Sequence, residues 1–324
     1  MLSYVIRRLL YSIVVLFAAS FLVFTFVSVS GDPLAALRVT PDYDPNTIKR
    51  IEDAKHLNDP IPVRYAYWVK DAVTDQFGTT LLGDRPIMPD LWRVMKNTLQ
   101  LVFIAELLAL LVGVGIGVLS ALKQYSFFDY SATTFSFLGL AMPVFWLALM
   151  LQVGVVLVYE ATGTRLFPIT SLSSVDPGGG VDFLIDRAHH LVLPVVVLMV
   201  ASMATYSRYM RASMLEVVNS DYVRTARAKG VAERRVTMKH AFRNALIPLV
   251  TLAALNFGTL LGGVIVTETV FSLDGMGLYF VNALLNNDPY PVMAFLMVTA
   301  VMIIIFNLLA DLAYGLLDPR VRYE

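Results

Sequence analysis

Six runs of this chain are long, apolar and almost free of charge: residues 9–29, 99–122, 132–158, 191–206, 245–267 and 292–310, with Glu106 the one acid inside them. A helix needs about 20 apolar residues to cross a hydrocarbon core of about 30 Å. Lipid offers the backbone no hydrogen-bond partner, so a crossing segment must be a helix or part of a closed barrel. The alternation of a barrel strand is missing from these runs. That leaves an all-α membrane protein with six transmembrane helices. The run 191–206 is the shortest, and it reaches across only with His189 and His190 at its interface. Composition agrees: 57% of the 324 residues are hydrophobic and 15% charged, against about 45–50% and about 25% in soluble domains.

The first run follows Arg7 and Arg8, as the apolar stretch of a signal peptide would. It is longer than the roughly 7–15 residues of a cleavable stretch. It is therefore expected to stay as an anchor, although Ser28-Val29-Ser30 has the small-x-small form of a cleavage site. Orientation follows from Lys and Arg in the short loops. Segments 1–8, 123–131, 207–244 and 315–324 hold 14 of them, whereas 159–190 and 268–292 hold 2. The segment 31–98 is longer than the roughly 60 residues over which loop charge sets orientation. Both termini are expected in the cytoplasm.

The chain then divides into an N-terminal cytoplasmic end with the first helix (1–30), an extracytoplasmic segment (31–98), a core of helices two to six with the cytoplasmic loop 207–244 (99–318) and a cytoplasmic tail (319–324). The outer segment opens with Pro33, Pro41, Pro45, Pro60 and Pro62. It is rich in aromatics, with Tyr43, Tyr65, Tyr67, Trp68, Phe77 and Trp92. A small folded cap is expected there, with a loosely ordered loop as the alternative. Asp176-Pro177-Gly178-Gly179-Gly180 reads as a turn. No internal repeat is visible.

The informative loop is 207–244. Ser220 followed by Asp221 reads as a helix start, a capping hydroxyl and then an acid at the positive end of the dipole. Arg227 and Lys229 fall in the last turn, and Gly230 is placed as a left-handed stop. A helix over 221–229 would be about 13 Å long, too short to cross. Val218, Tyr222 and Ala226 mark one face, Arg224 and Arg227 another. A second helix is expected to start near Glu233 and lead into the fifth span. Two readings stand: a basic loop resting on anionic lipid headgroups, or a docking knob for a cytosolic partner.

Several chemistries find no residues here. There is no G-x-x-x-x-G-K-[ST] stretch to cradle nucleotide phosphates. The four histidines include one adjacent pair, His189 and His190, which point about 100° apart on a helix and so do not share a metal. There are no cysteines, and Lys plus Arg balance Asp plus Glu at 25 each, which points to no nucleic-acid partner. Catalytic and metal residues are therefore expected to be none. Glu106, two turns into the second span, and Asp311, beyond the sixth run, do not make a deep ion relay. Asn256, Gly258, Gly262 and Gly263 in the fifth span suit either close helix packing or a polar passage.

The stretch Asp221-Tyr222-Val223-Arg224-Thr225-Ala226-Arg227-Ala228-Lys229-Gly230 resembles the cytoplasmic "EAA" loop of permease subunits in binding-protein-dependent ABC importers. Arg224 stands where the generic pattern has Glu, and its later proline is displaced. His240-Ala241-Phe242-Arg243-Asn244-Ala245-Leu246-Ile247-Pro248 resembles the version found in the peptide/nickel branch. Matching stretches continue in order along the chain. They include Tyr4-Val5-Ile6-Arg7-Arg8-Leu9-Leu10, Gly31-Asp32-Pro33, Asp59-Pro60, Phe77-Gly78-Thr79 and Asn97-Thr98-Leu99. Pro143-Val144-Phe145-Trp146, Glu268-Thr269-Val270-Phe271, Asn307-Leu308-Leu309-Ala310-Asp311 and Asp318-Pro319-Arg320 complete the series. The long outer segment resembles the first permease of oligopeptide and dipeptide systems, the OppB/DppB type.

That resemblance implies a type I importer permease fold in a bacterial cell membrane. It implies a heterodimer with a second permease, two cytosolic ABC ATPases, an extracytoplasmic peptide-binding protein and surrounding lipid. ATP and Mg would sit on the ATPases, with no cofactor on this chain, which would not itself be an enzyme. The cargo would be oligopeptides or dipeptides, with nickel chelates or other small solutes as the alternative. Carried onto this sequence, Asp221, Tyr222, Arg224, Thr225, Ala226, Arg227 and Gly230 would couple to the ATPases. Asn256, Thr259, Gly262, Gly263 and Thr267 would line the pathway. Glu268 and Asp288, expected at the outer surface, would meet the binding protein. The rivals from other classes are a stand-alone secondary transporter and a membrane scaffold that binds an ATPase.

Overall fold

The computed structural model describes residues 2–40 and 44–317. Pro41, Tyr43, Asp318-Pro319-Arg320 and the tail 319–324 lie outside the described residues, as do the surroundings of Gly263. In chain order the helices are α1 (Leu2–Val29), α2 (Ala35–Arg38), α3 (Pro45–Ala54), α4 (Ile61–Thr74), α5 (Ile87–Leu122), α6 (Phe127–Ala141) and α7 (Val144–Thr162). There follow α8 (Val181–Val218), α9 (Asp221–Ala228), α10 (Glu233–Arg235), a π-helical segment Val236–Phe242, α11 (Arg243–Gly263), α12 (Ile265–Val270), α13 (Met276–Leu285) and α14 (Pro289–Leu317). Among the described residues the one β feature is an isolated bridge between Thr79 and Pro86.

Six stretches are long and apolar enough to cross a membrane: Val5–Val29, Ile87–Leu122, Val144–Thr162, Val181–Val218, Glu233–Gly262 and Pro289–Leu312. The number matches the sequence reading; the run 99–122 is the later part of a helix that already begins at Ile87, within the segment expected as the outer connection, and three further runs differ as well. The run 132–158 is not one helix, because Pro143 lacks an N–H and drives Met142 into extended backbone (φ −80°, ψ 122°). The spanning helix α7 therefore starts at Val144. The run 191–206 is the middle of the 38-residue α8. Its polar flanks hid its length, and Pro194 is carried inside the helix. His190 is buried rather than interfacial, and its Nδ1 donates to the Asp186 carbonyl at 2.9 Å. The run 245–267 breaks after Gly263, so Thr267 belongs to α12.

The chain forms two compact units, residues 1–98 with 274–304 and residues 99–273 with 305–324. In the first, Phe17, Phe21 and Phe24 fall on one face of α1 and set their rings 5.6, 5.1 and 5.5 Å from that of Tyr65 on α4. Tyr65 also shares a 2.7 Å hydrogen bond with Ser20, and Trp68 and Met293 close the cluster. The segment 31–98 is thus folded. Leu34, Ile48 and Leu81 form a small core beneath α2 and α3. Arg38 bonds Asp32 at 2.7 Å and also pairs with Glu52, holding that carboxyl below its ordinary pKa.

In the second unit α5 packs against α8 at very short range. A Cβ on Gly113 would meet Tyr206 Cβ at 2.8 Å, and one on Gly117 would meet the Ser207 carbonyl at 2.6 Å. Between helices in lipid the hydrophobic effect contributes little, so association rests on close packing and polar contacts. Gly113-x-x-x-Gly117 supplies the first. Ser120, Asp129 and Arg211 supply the second. Arg211 makes two bonds to the Asp129 carboxylate, at 2.6 and 2.8 Å, and Ser120 donates to the same group.

Candidate functional site

The connection from α8 to α11 carries the residues assigned to coupling. Two long helices hold it: Ser213 on α8 donates to the Ala245 carbonyl of α11 at 2.9 Å. Between them α9 is pinned through Val223, fully buried with Met210, Met214, Val236, Ala241 and Ala245. The buried face therefore runs through Val223 and the half-buried Ala226. Tyr222, expected on one face with Val218 and Ala226, is exposed, and its hydroxyl accepts from Asn244 Nδ2 at 2.9 Å.

The helix ends differ in how closely they follow the sequence signals. Ser220 occupies the N-cap position with extended backbone (φ −71°, ψ 153°), but its side chain does not cap α9. Its hydroxyl donates back to the Val217 carbonyl at 2.6 Å, serving the end of α8, whose last carbonyls also lack partners. Gly230 takes the left-handed conformation, φ +73°. Its N–H reaches the Arg227 carbonyl at 2.9 Å, and Val231 N–H reaches that of Ala226 at 3.2 Å. These two bonds form the Schellman stop.

Of the charges, Asp221 and Arg224 form an exposed pair 3.7 Å apart that contributes little to stability. Arg227 is already committed: its guanidinium grips Glu233 with bonds of 2.8, 3.1 and 3.2 Å. Thr225 bonds the Asp221 carbonyl at 2.8 Å. The outcome is a short, rigid helix whose exposed face carries Asp221, Tyr222, Arg224 and Thr225.

The fifth-span residues scatter. Asn256 faces inward and donates to the Tyr206 hydroxyl at 3.1 Å, and that hydroxyl donates to Glu106. Thr259 is exposed and bonds the Asn256 carbonyl at 2.9 Å. Gly262 is exposed with open space around it. Thr267 is fully buried in α12. Glu268, expected at the outer surface, is also buried, 1% exposed. The turn of α12 buries Thr267 and Glu268 and leaves Val266 exposed, which no single-residue polarity rule reveals.

Asp288 is half-buried in the turn before α14. It takes the Leu81 N–H at 2.7 Å and the Tyr290 N–H at 3.1 Å. Burial raises its pKa against these bonds. It acts as a clasp for that turn. Sequence reasoning missed Val223, Tyr206, Asp129 and Arg211. An acid inside or beside an apolar run was the available signal for the last three.

Comparison with known proteins places this geometry. Residues 113–323 match the family described as binding-protein-dependent transport system inner membrane component, and residues 1–101 match its N-terminal counterpart. The chain is 37% identical to the oligopeptide transport system permease protein AppB of Bacillus subtilis, covering 100% of both chains. It is 38% identical to the dipeptide permease DppB of Alkalihalophilus pseudofirmus, again over 100% of both. To the Escherichia coli DppB it is 34% identical over 100% of each. The fold is also that of a solved amino acid ABC transporter chain, at TM-score 0.53 and 14% identity, over 70% of this chain and 93% of the other.

Proposed function

The chain belongs to the inner-membrane components of binding-protein-dependent transport systems, multi-pass proteins of the bacterial inner membrane, and on that premise we propose that it is a permease subunit of an ATP-driven peptide importer. Its relatives are named as oligopeptide and dipeptide permeases, which supports peptides as cargo. In this reading it pairs with a second permease, two cytosolic ATPases carry ATP and Mg, and an extracytoplasmic protein delivers the peptide. Both termini are cytoplasmic, and 31–98 forms the outer cap that the binding protein meets.

The observation that carries the coupling part is α9: a short helix pinned by buried Val223, stopped by left-handed Gly230, and presenting a charged outer face. A helix held this firmly transmits force; a loop resting on lipid needs no such anchoring. When ATP closes the ATPase dimer, α9 is drawn with it and the attached spans turn as near-rigid rods, reorienting the cavity. Asp221, Tyr222, Arg224 and Thr225 make the contact. Ala226, Arg227 and Gly230 hold its shape. Asn256, Thr259, Gly262 and Gly263 lie along the passage in this reading.

Purification in mild detergent from a C-terminally tagged chain, with mass spectrometry of what co-purifies, tests the assembly. A second permease and P-loop ATPases are expected. Gly230→Pro should leave the chain in the membrane but uncouple peptide from ATP hydrolysis in nanodiscs. Recovery of the chain alone across detergents, or full coupling in Gly230→Pro, overturns the reading.

A further inference from the structure

Glu106 is a buried carboxylate that the coupling cycle above does not use. It is 5% exposed, and its Oε1 accepts from the Tyr206 hydroxyl, itself held by Asn256. Ser202 lies close enough to act on the carboxylate, yet Oε2 is buried with no hydrogen-bond partner among the described residues. Buried polar atoms are nearly always satisfied, and leaving an acid oxygen without a donor in apolar surroundings is costly.

Beside it lies an open groove of about 720 Å³, lined by Glu106 together with Phe103, Leu107, Phe257, Phe306 and Leu309. The rings of Phe257 and Phe306 stand 4.3 Å apart, with Phe103 6.4 Å from Phe257. That volume falls in the range of small-ligand pockets, about 300–1,000 Å³. A hard metal cation would need about six oxygens, and among the described residues no cluster of three acids or histidines exists. An organic ammonium needs less. One carboxylate oxygen and the faces of aromatic rings satisfy it.

We infer that Glu106, positioned by Tyr206 and Asn256, is a subsite that takes a primary ammonium group of a passing peptide, while the phenylalanines cover its apolar part. The inference rests on the peptide-permease reading. It makes the pathway selective at one point without metal, nucleotide or ion gradient. Asn256 then acts through Tyr206 rather than as a bare polar patch.

The first test uses the assembled wild-type importer in nanodiscs. Dicyclohexylcarbodiimide couples to carboxyl groups in apolar surroundings, and peptide mapping by mass spectrometry locates the adduct. Tetra-alanine, N-acetyl-tetra-alanine and an N-acetylated tetrapeptide with one Lys are each supplied at saturation on both faces. Glu106 should be labelled, and tetra-alanine should slow that labelling by about tenfold, about 1.4 kcal/mol. The acetylated tetra-alanine should not slow it. Protection by the Lys peptide would add the side-chain ammonium as a second source; its failure would restrict the subsite to the amino terminus.

An unlabelled Glu106, or equal labelling with free and acetylated tetra-alanine, overturns the inference. Glu106→Gln, which can still accept from Tyr206, should raise the KM for tetra-alanine uptake by about tenfold with a smaller change in kcat. If kcat falls and KM holds, the residue is structural. Wild-type complex that takes up no tetra-alanine would instead sink the peptide-permease reading itself.

Discussion

Helices α8 and α11 carry two polar clusters in contrasting surroundings. At their connection Asp221 is 99% and Arg224 69% exposed, and their pair is loose at 3.7 Å. Further along the same helices Tyr206, with no exposed surface, and Asn256 close on the buried Glu106. Water pays for the first cluster, so its charges are free to meet a partner and contribute little to stability. The second has no water to fall back on, so each lost partner is felt. One helix pair thus combines an exchangeable surface with a fixed interior.

The largest effect expected from breaking this contrast is in the packing that brings Tyr206 to Glu106. Gly117→Leu would drive a side chain into backbone at the Ser207 carbonyl, where even a Cβ would sit 2.6 Å away. A loss of about 3 kcal/mol or more is expected, read as absent monodisperse protein on size exclusion. Gly262→Ala, with open space around it, should behave as wild type. Equal behaviour of the two would mean the close approach of α5 and α8 is not what holds this unit.

A smaller effect is expected at Asp129, whose carboxylate is 3% exposed against 28% for its partner Arg211. Asp129→Asn should cost about 2–3 kcal/mol because it strands the guanidinium, measured as a lower melting temperature in nanodiscs. Adding Arg211→Met should recover part of that loss. If the double variant melts lower still, the pair is net stabilising rather than merely costly to split.

The smallest change in stability should follow Arg227→Ala. Its bonds to Glu233 are exposed and contribute little to stability, so melting should barely move while coupled ATP hydrolysis drops severalfold. A large drop in melting temperature with intact coupling would reverse the comparison, making the loop structural.

Much of the architecture was legible before any coordinates. Length and apolarity determine the number of crossing helices, since lipid admits few alternatives. Left-handed Gly230 and the short helix before it were likewise readable, because glycine at a helix stop answers a local backbone demand. Legibility failed where a local signal had two possible users. Ser220 could cap α9 or serve α8, and it serves α8. Pro143 broke one span and Pro194 did not break another, though each is a proline among apolar residues.

By itself, the sequence determined that the chain crosses a membrane six times and carries a short basic helix, stopped at Gly230, between two of the spans. Those are consequences of chain length, solvent and local backbone preference. Only the tertiary structure decided that Glu106 meets Tyr206 and Asn256, that Glu268 turns inward, and that Gly113 and Gly117 let α5 lie against α8. Residues far apart in the chain become partners only when helices pack. In lipid, that packing depends on which small surfaces fit and which polar groups find one another.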